Sequence, residues 1–226
     1  MASLLVTLTC AALSAAIALA LLAPAVASRG LTQESLDALP ASGVTNPVTA
    51  VLLNYRGYDT LLEIAVLLLA VVAVWTLREA PADTAGTAPD RPLLASLVRL
   101  IAPAAVVVAG YFLWIGSFAP GGAFQAGAVL GGLGVLALLA GLVPGDALAG
   151  RATRPVLALG LLVFVAAGAA AMASTGGLLA YPPGEGGTWI LVIEAAATLS
   201  IGATLAALFL GGRPGARAPR EGEGDA

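Results

Sequence analysis

Apolar residues occur along this chain in six long runs that short polar segments separate. A bilayer core of about 30 Å requires roughly 20 apolar residues in a helix, and each run approaches that length. The pattern therefore predicts an all-α membrane protein with about six transmembrane helices. The predicted spans are Leu4–Val26, Leu61–Leu77, Leu97–Ile115, Phe124–Val143, Pro155–Ala173 and Trp189–Leu210.

The first run has a second interpretation, because Ala25-Val26-Ala27 before Ser28 is similar to a signal-peptidase cleavage site. Two features favour a retained helix instead. No positively charged segment precedes the run, and the run is long enough to span a bilayer.

The arginines predict the orientation of the helices. With a cytoplasmic N-terminus, eight of the ten basic residues fall inside and two, Arg29 and Arg56, fall outside. This asymmetry agrees with the positive-inside rule. We therefore expect a multi-pass protein of the cell (inner) membrane with both termini in the cytoplasm.

Composition excludes several classes of function. Only 10% of the residues are charged, whereas soluble domains carry about 25%. The chain has no histidine and a single cysteine, Cys10, so haem, zinc and iron–sulfur motifs cannot be assembled. The sequence lacks the cluster of basic residues that nucleic-acid binding requires. We expect no cofactor, no metal and no catalytic site in this chain, and the lipid bilayer as its surroundings.

Two of the 23 charged residues lie inside apolar runs, namely Glu63 and Glu194. A carboxylate in a bilayer is costly and needs a partner, a proton or water. The other charges lie in the loops and near the ends. Glu63 and Glu194 are therefore the first candidates for function.

The outer loop from Ser28 to Asp59 contains a predicted short helix at the membrane interface. Asn46 is a suitable N-cap with Pro47 at the first helical position, and Gly57 can end the helix. By contrast, the outer loop 181–187 is expected only to connect two helices. Residues 79–92 predict a cytoplasmic linker, and the residues after Gly211 predict a disordered tail.

A tight turn is predicted at Pro120, Gly121 and Gly122, between the third and fourth spans. Gln125 follows it near the outer end of the fourth span. Gly127 and Gly131 form a small-xxx-small pair that allows another helix to approach closely. Because glycine is common in membrane helices in general, this pair alone does not establish a close contact between helices.

Two stretches together resemble one family. Residues 45–64, TNPVTAVLLNYRGYDTLLEI, resemble a signature near the C-terminus of the large subunit of multisubunit Mrp-type sodium/proton antiporters. Residues 119–127, APGGAFQAG, resemble the glycine-rich turn of the MnhB domain of these antiporters. The resemblance implies a two-helix module in residues 1–78, a linker in 79–92, a four-helix MnhB-like domain in 93–212 and a tail in 213–226.

The resemblance implies a membrane subunit of a sodium/proton antiporter, with Na+ and H+ as transported ions and the other subunits of the complex as partners. The alternative is an ion-pumping subunit of an energy-converting hydrogenase or a complex-I-like redox complex. A third interpretation is a purely structural subunit. The chain departs from the family turn at four positions. Ser117 and Phe118 stand before the proline, where the family often carries histidine or asparagine, and Ala123 and Ala126 replace two glycines.

Glu63 and Glu194 are predicted at similar depth, near the outer face, and are hypothesised to flank a proton or sodium route with Gln125. Arg56 and Asp59 would influence the two glutamates electrostatically, or would only form an interfacial ion pair that positions the helix. Glu63 also fits a capping box in which Thr60 is the N-cap, and this leaves open whether it caps the helix or transports. Glu194 has no such explanation.

Overall fold

A computed structural model of the chain describes residues 31–77, 91–144 and 153–211, together with a few helical residues between 11 and 19. Its backbone contacts divide the chain into two units, residues 1–34 and residues 35–226, and the second unit contains every described helix from Pro47 onward. Most of the predicted first span and linker, and all of the tail beyond residue 211, lie outside the described residues, so those predictions stay predictions.

The described residues form helices and turns and contain no strand. The helices are α1 (Thr32–Ala38), a 3-10 turn (Leu39–Ala41), α2 (Pro47–Ala50), a π-helix (Val51–Tyr55), α3 (Gly57–Leu77), α4 (Pro92–Ile115), α5 (Ala123–Leu139), α6 (Thr153–Thr175) and α7 (Gly186–Leu210). The all-α prediction is confirmed.

Four of these helices, α3, α4, α6 and α7, are long and apolar enough to cross a membrane. Helix α5 has 17 residues, or roughly 26 Å at 1.5 Å per residue, which is the lower limit for a span. It ends at Leu139 and not at the predicted Val143, because Gly141 adopts a left-handed conformation with φ +68°. The protein is thus a multi-pass all-α membrane protein.

Helix α7 is the centre of the bundle, with α5 and α6 as its main neighbours. Gly127 and Gly131 of α5 lie directly against it. A Cβ atom at Gly127 would lie 2.8 Å from the Cβ of Ile201, and one at Gly131 would lie 2.9 Å from the Cβ of Leu205. The two glycines of the small-xxx-small pair thus lie where α5 approaches α7 closely.

The start of α3 differs from the prediction. The short helix after Asn46 is present, but it continues as a π-helix to Tyr55, and Gly57 begins α3 and does not end the short helix. The amide of Arg56 donates to Val51 O (2.8 Å) and not to Leu52 O, its partner in a regular α-helix. Leu52 O accepts from the hydroxyl of Thr60 (2.8 Å).

Because its hydroxyl is used in this way, and because α3 begins at Gly57, Thr60 is not an N-cap. The predicted capping box of Thr60 and Glu63 is therefore wrong. Glu63 consequently has no helix-capping role in this structure.

The seam between α5 and α7 predicts a position-specific effect of an added methyl group. Gly127→Ala should lower the stability by about 1–3 kcal/mol, because the new Cβ would overlap Ile201. Thermal unfolding of the detergent-purified full chain measures this. Gly132→Ala is the matched control, since nothing lies within 4 Å of a Cβ at that position. Equal losses for the two variants would contradict the packing described.

Candidate functional site

Glu194 is the buried charged residue of this structure. Its exposed fraction is 4%, and no other charged residue in the described part of the chain is buried. It lies eight residues after Gly186, the first residue of α7, so it is roughly 12 Å along the helix at 1.5 Å per residue. The sequence predicts a helix that begins at Trp189, which places Glu194 nearer to the helix start. The first turn of α7, from Gly186, is missing from that prediction.

The carboxyl group of Glu194 meets the N-terminus of α5. Its Oε1 accepts a hydrogen bond from the amide of Ala123, the first residue of that helix, at 3.3 Å. A helix N-terminus presents unpaired amides and a partial positive charge, and both stabilise a carboxylate. The other oxygen, Oε2, is buried and has no hydrogen-bond partner in the described structure.

The turn before α5 is shaped to fit this carboxyl group. Gly122 has φ +110°, a region that favours glycine, and a Cβ there would lie 2.5 Å from Oε1 of Glu194. The tight turn predicted at Pro120, Gly121 and Gly122 thus has a second role, since it leaves room for the side chain from α7. Gln125 lies in the first turn of α5 as predicted, but its side chain is exposed and forms no hydrogen bond with Glu194.

The first outer loop holds this turn in place. The side-chain amide of Asn46 donates to Gly116 O (3.0 Å) and Ala119 O (2.9 Å), while its Oδ1 caps α2 at Val48 N. The hydroxyl of Thr49 also donates to Gly116 O, at 2.5 Å. The two stretches that resemble the antiporter family are therefore in direct contact, although nothing in their sequences predicts it.

The N-terminus of α7 is anchored by the same loop. A Cβ at Gly43 would lie 2.5 Å from the amide nitrogen of Gly187, so the two backbones touch. Tyr181 donates to Leu53 O (2.9 Å) and stacks on Trp189. Burial raises the pKa of Tyr181 to about 12, so its hydroxyl stays protonated as a donor. The expectation that residues 181–187 only connect two helices is wrong.

The remaining predicted residues lie away from this buried group. Arg56 and Asp59 form an ion pair on the surface, which agrees with the interpretation that this pair only positions the helix. Glu63 lies on the exposed face of α3. Within the described residues, no hydrogen bond or ion pair links Glu63 to Glu194.

Comparison with known families agrees with this arrangement. Residues 93–212 match the model of the domain related to the MnhB subunit of Na+/H+ antiporter. The chain belongs to this family. Residues 1–91 match the family model MbhE, which describes a component of MBH. Among curated proteins, none matches the sequence.

Two solved structures are similar to this MnhB-family chain. One belongs to the Mrp complex from Dietzia sp. DQ12-45-1b, with 25% identity and a TM-score of 0.60 over 95% of this chain. This chain spans only 26% of the length of that relative. The other belongs to the membrane-bound sulfane sulfur reductase (MBS), an archaeal respiratory membrane complex. It has 25% identity and a TM-score of 0.65, over 92% of this chain and 97% of its own.

The contact between the outer loop and the turn predicts a strong effect at Asn46. Asn46→Ala should destabilise the protein by roughly 2–4 kcal/mol, because it removes a helix cap and two hydrogen bonds to the turn. Asn54→Ala, which removes one hydrogen bond to Ser42 O, should cost about 1 kcal/mol. Thermal unfolding of the two purified variants compares them, and a loss no larger at Asn46 would argue against the contact.

Proposed function

We propose that this chain is a membrane subunit of a multisubunit monovalent cation (Na+)/proton antiporter, in which Glu194 forms part of the ion path. The observation that carries the proposal is the carboxyl group of Glu194, which is buried at 4% exposure and has one unpartnered oxygen. Membership of the MnhB family and the likeness to a chain of the Mrp complex support the antiporter as the setting.

The environment of Glu194 supports both protonation states of its carboxyl group. The ionised form is stabilised by the amide of Ala123 and by the positive end of α5. The protonated form avoids a charge in the bilayer, where a carboxylate at the centre of a helix costs about 2.5–3.5 kcal/mol. A group with support in each state can take up and release a proton, as a transport path requires.

The other predicted residues have a secondary place in this proposal. Glu63 is exposed on α3, so proton exchange with Glu194 would pass through water or a neighbouring subunit. Gln125 stands at the entrance of α5, and the ion pair of Arg56 and Asp59 contributes charge at the surface. Each of these three roles is weaker than that of Glu194, because none of these side chains is buried.

The proposed partners are the other subunits of the antiporter complex, together with Na+, H+ and the lipid bilayer. The chain corresponds to only a quarter of the Mrp chain it resembles, which supports a role as one part of a larger assembly. Two acids within the predicted spans are few for complete transport by one chain. We assign it no catalysis of its own and no cofactor.

A second candidate is an ion-pumping membrane subunit of a respiratory or hydrogenase-type complex. Specific observations favour it, since residues 1–91 match the MbhE model, and this chain covers 97% of a chain of the sulfane sulfur reductase complex. Redox chemistry would then reside in neighbouring subunits. Genes for a hydrogenase or reductase beside this gene would favour this candidate, and their absence would favour the antiporter.

Replacing Glu194 with glutamine tests the proposed role. Glu194→Gln keeps the size of the side chain but cannot exchange a proton, so cation-driven proton transport in everted vesicles should fall to background while the complex assembles. Glu185→Gln is the matched control, because Glu185 is exposed at the start of the same helix and its side chain accepts a hydrogen bond only from the indole of Trp189. Unchanged transport in assembled Glu194→Gln complexes would refute the role.

A further inference from the structure

The surroundings of Glu194 distinguish between the two ions of the proposed antiport. Resting on that proposed function, we infer that Glu194 is a proton site and does not bind sodium. The three observations that carry this are the helix end facing the carboxyl group, the engagement of four nearby carbonyl oxygens and the close packing at Gly122 and Gly127.

The first observation concerns charge. In membrane transporters, helix N-termini face anionic groups, whereas unwound carbonyls and helix C-termini hold cations. Glu194 faces the N-terminus of α5, a helix long enough to have a full dipole. Its negative charge is thus compensated by the protein itself, and a second positive charge beside it would be repelled by the same helix end.

The second observation concerns ligands. A bare cation needs several oxygen atoms in place of its hydration shell. Four carbonyls at the turn are engaged. Gly116 and Ala119 accept from Asn46, Ser117 accepts from the amides of Thr45 and Asn46, and Gly122 accepts from the amide of Ala126. The carbonyl of Glu194 itself accepts from Thr198. The described residues also contain no cluster of metal-binding side chains.

The third observation concerns space. On the side of the turn, a Cβ at Gly122 would lie 2.5 Å from Oε1 of Glu194. One turn further along α5, a Cβ at Gly127 would lie 2.8 Å from Ile201. The seam between α5 and α7 therefore has no room for a methyl group at either of these two glycines, the first beside Oε1 and the second further along the seam. A proton needs no such space, because it resides on the carboxyl oxygen.

Other charges do not alter this assignment. The charged residues on the helices packed against α7 are Asp59, Glu63, Arg99 and Arg154, and none of them is buried. The tyrosines of these elements are Tyr55, Tyr58 and Tyr111, which are also partly or fully exposed. The unpartnered Oε2 is thus the free position at this site, and a proton on it would neutralise the one buried charge found in the described residues.

Infrared difference spectroscopy and binding of radioactive sodium test this inference on the purified complex that contains the full chain. Acidification should produce a protonated-carboxyl band that is absent in Glu194→Gln, whereas added Na+ at constant pH should leave this band unchanged. Glu194→Gln should bind as many Na+ ions per complex as the wild type. A band that shifts with Na+, or the loss of one bound Na+ in Glu194→Gln, would overturn the inference.

The assembly of Glu194→Gln is checked by co-purification of the other subunits. If Glu194→Gln does not assemble, Glu194→Asp replaces it, and a shift of the infrared band in this variant assigns the band to the carboxyl group at this position. The response of the wild-type band to Na+ then decides whether the carboxyl group binds sodium. The proposed function fails separately, when transport is unchanged in Glu194→Gln. Lost transport together with a lost Na+ ion would overturn only the proton assignment.

Discussion

The structure depends on one electrostatic constraint, the compensation of a carboxylate that is buried in the central helix of a membrane bundle. Glu194 is buried, and the positive end of α5 lies beside it and stabilises its ionised form. This requirement fixes where α5 begins and how the chain turns into it. Only a residue without a side chain fits at Gly122, because a Cβ there would meet the carboxyl oxygen.

The turn would not hold this position alone, because loops without packing are mobile. Asn46 supplies the missing restraint from about seventy residues away, by donating to two carbonyls of the turn while it caps α2. The same loop touches α7 at Gly187. One polar loop thus joins the turn before α5 to the first residues of α7, and it makes a segment outside the matched MnhB domain part of the candidate site.

Much of this fold follows from apolar run length, which located the helices α3 to α7 within a few residues. The predicted boundary at α3 is wrong, because the rules for helix caps describe regular helices. Here a π-helix precedes Gly57, and the hydroxyl of Thr60 donates to Leu52 O. Glu194 could be singled out because a charge in an apolar run is rare. Its partner, the backbone amide of Ala123, could not be predicted, because every residue except proline has such an amide and the sequence does not distinguish one from another.

The parallel packing of α5 and α7 explains how the hydrogen bond to Glu194 is placed. Ala123 meets Glu194, Gly127 meets Ile201, and Gly131 meets Leu205, so contacts recur every four residues along α5. Glycine at the second and third levels lets the two helices approach closely, and the first level thereby comes within hydrogen-bonding distance. The close packing of the seam therefore positions the amide of Ala123 against the carboxyl group.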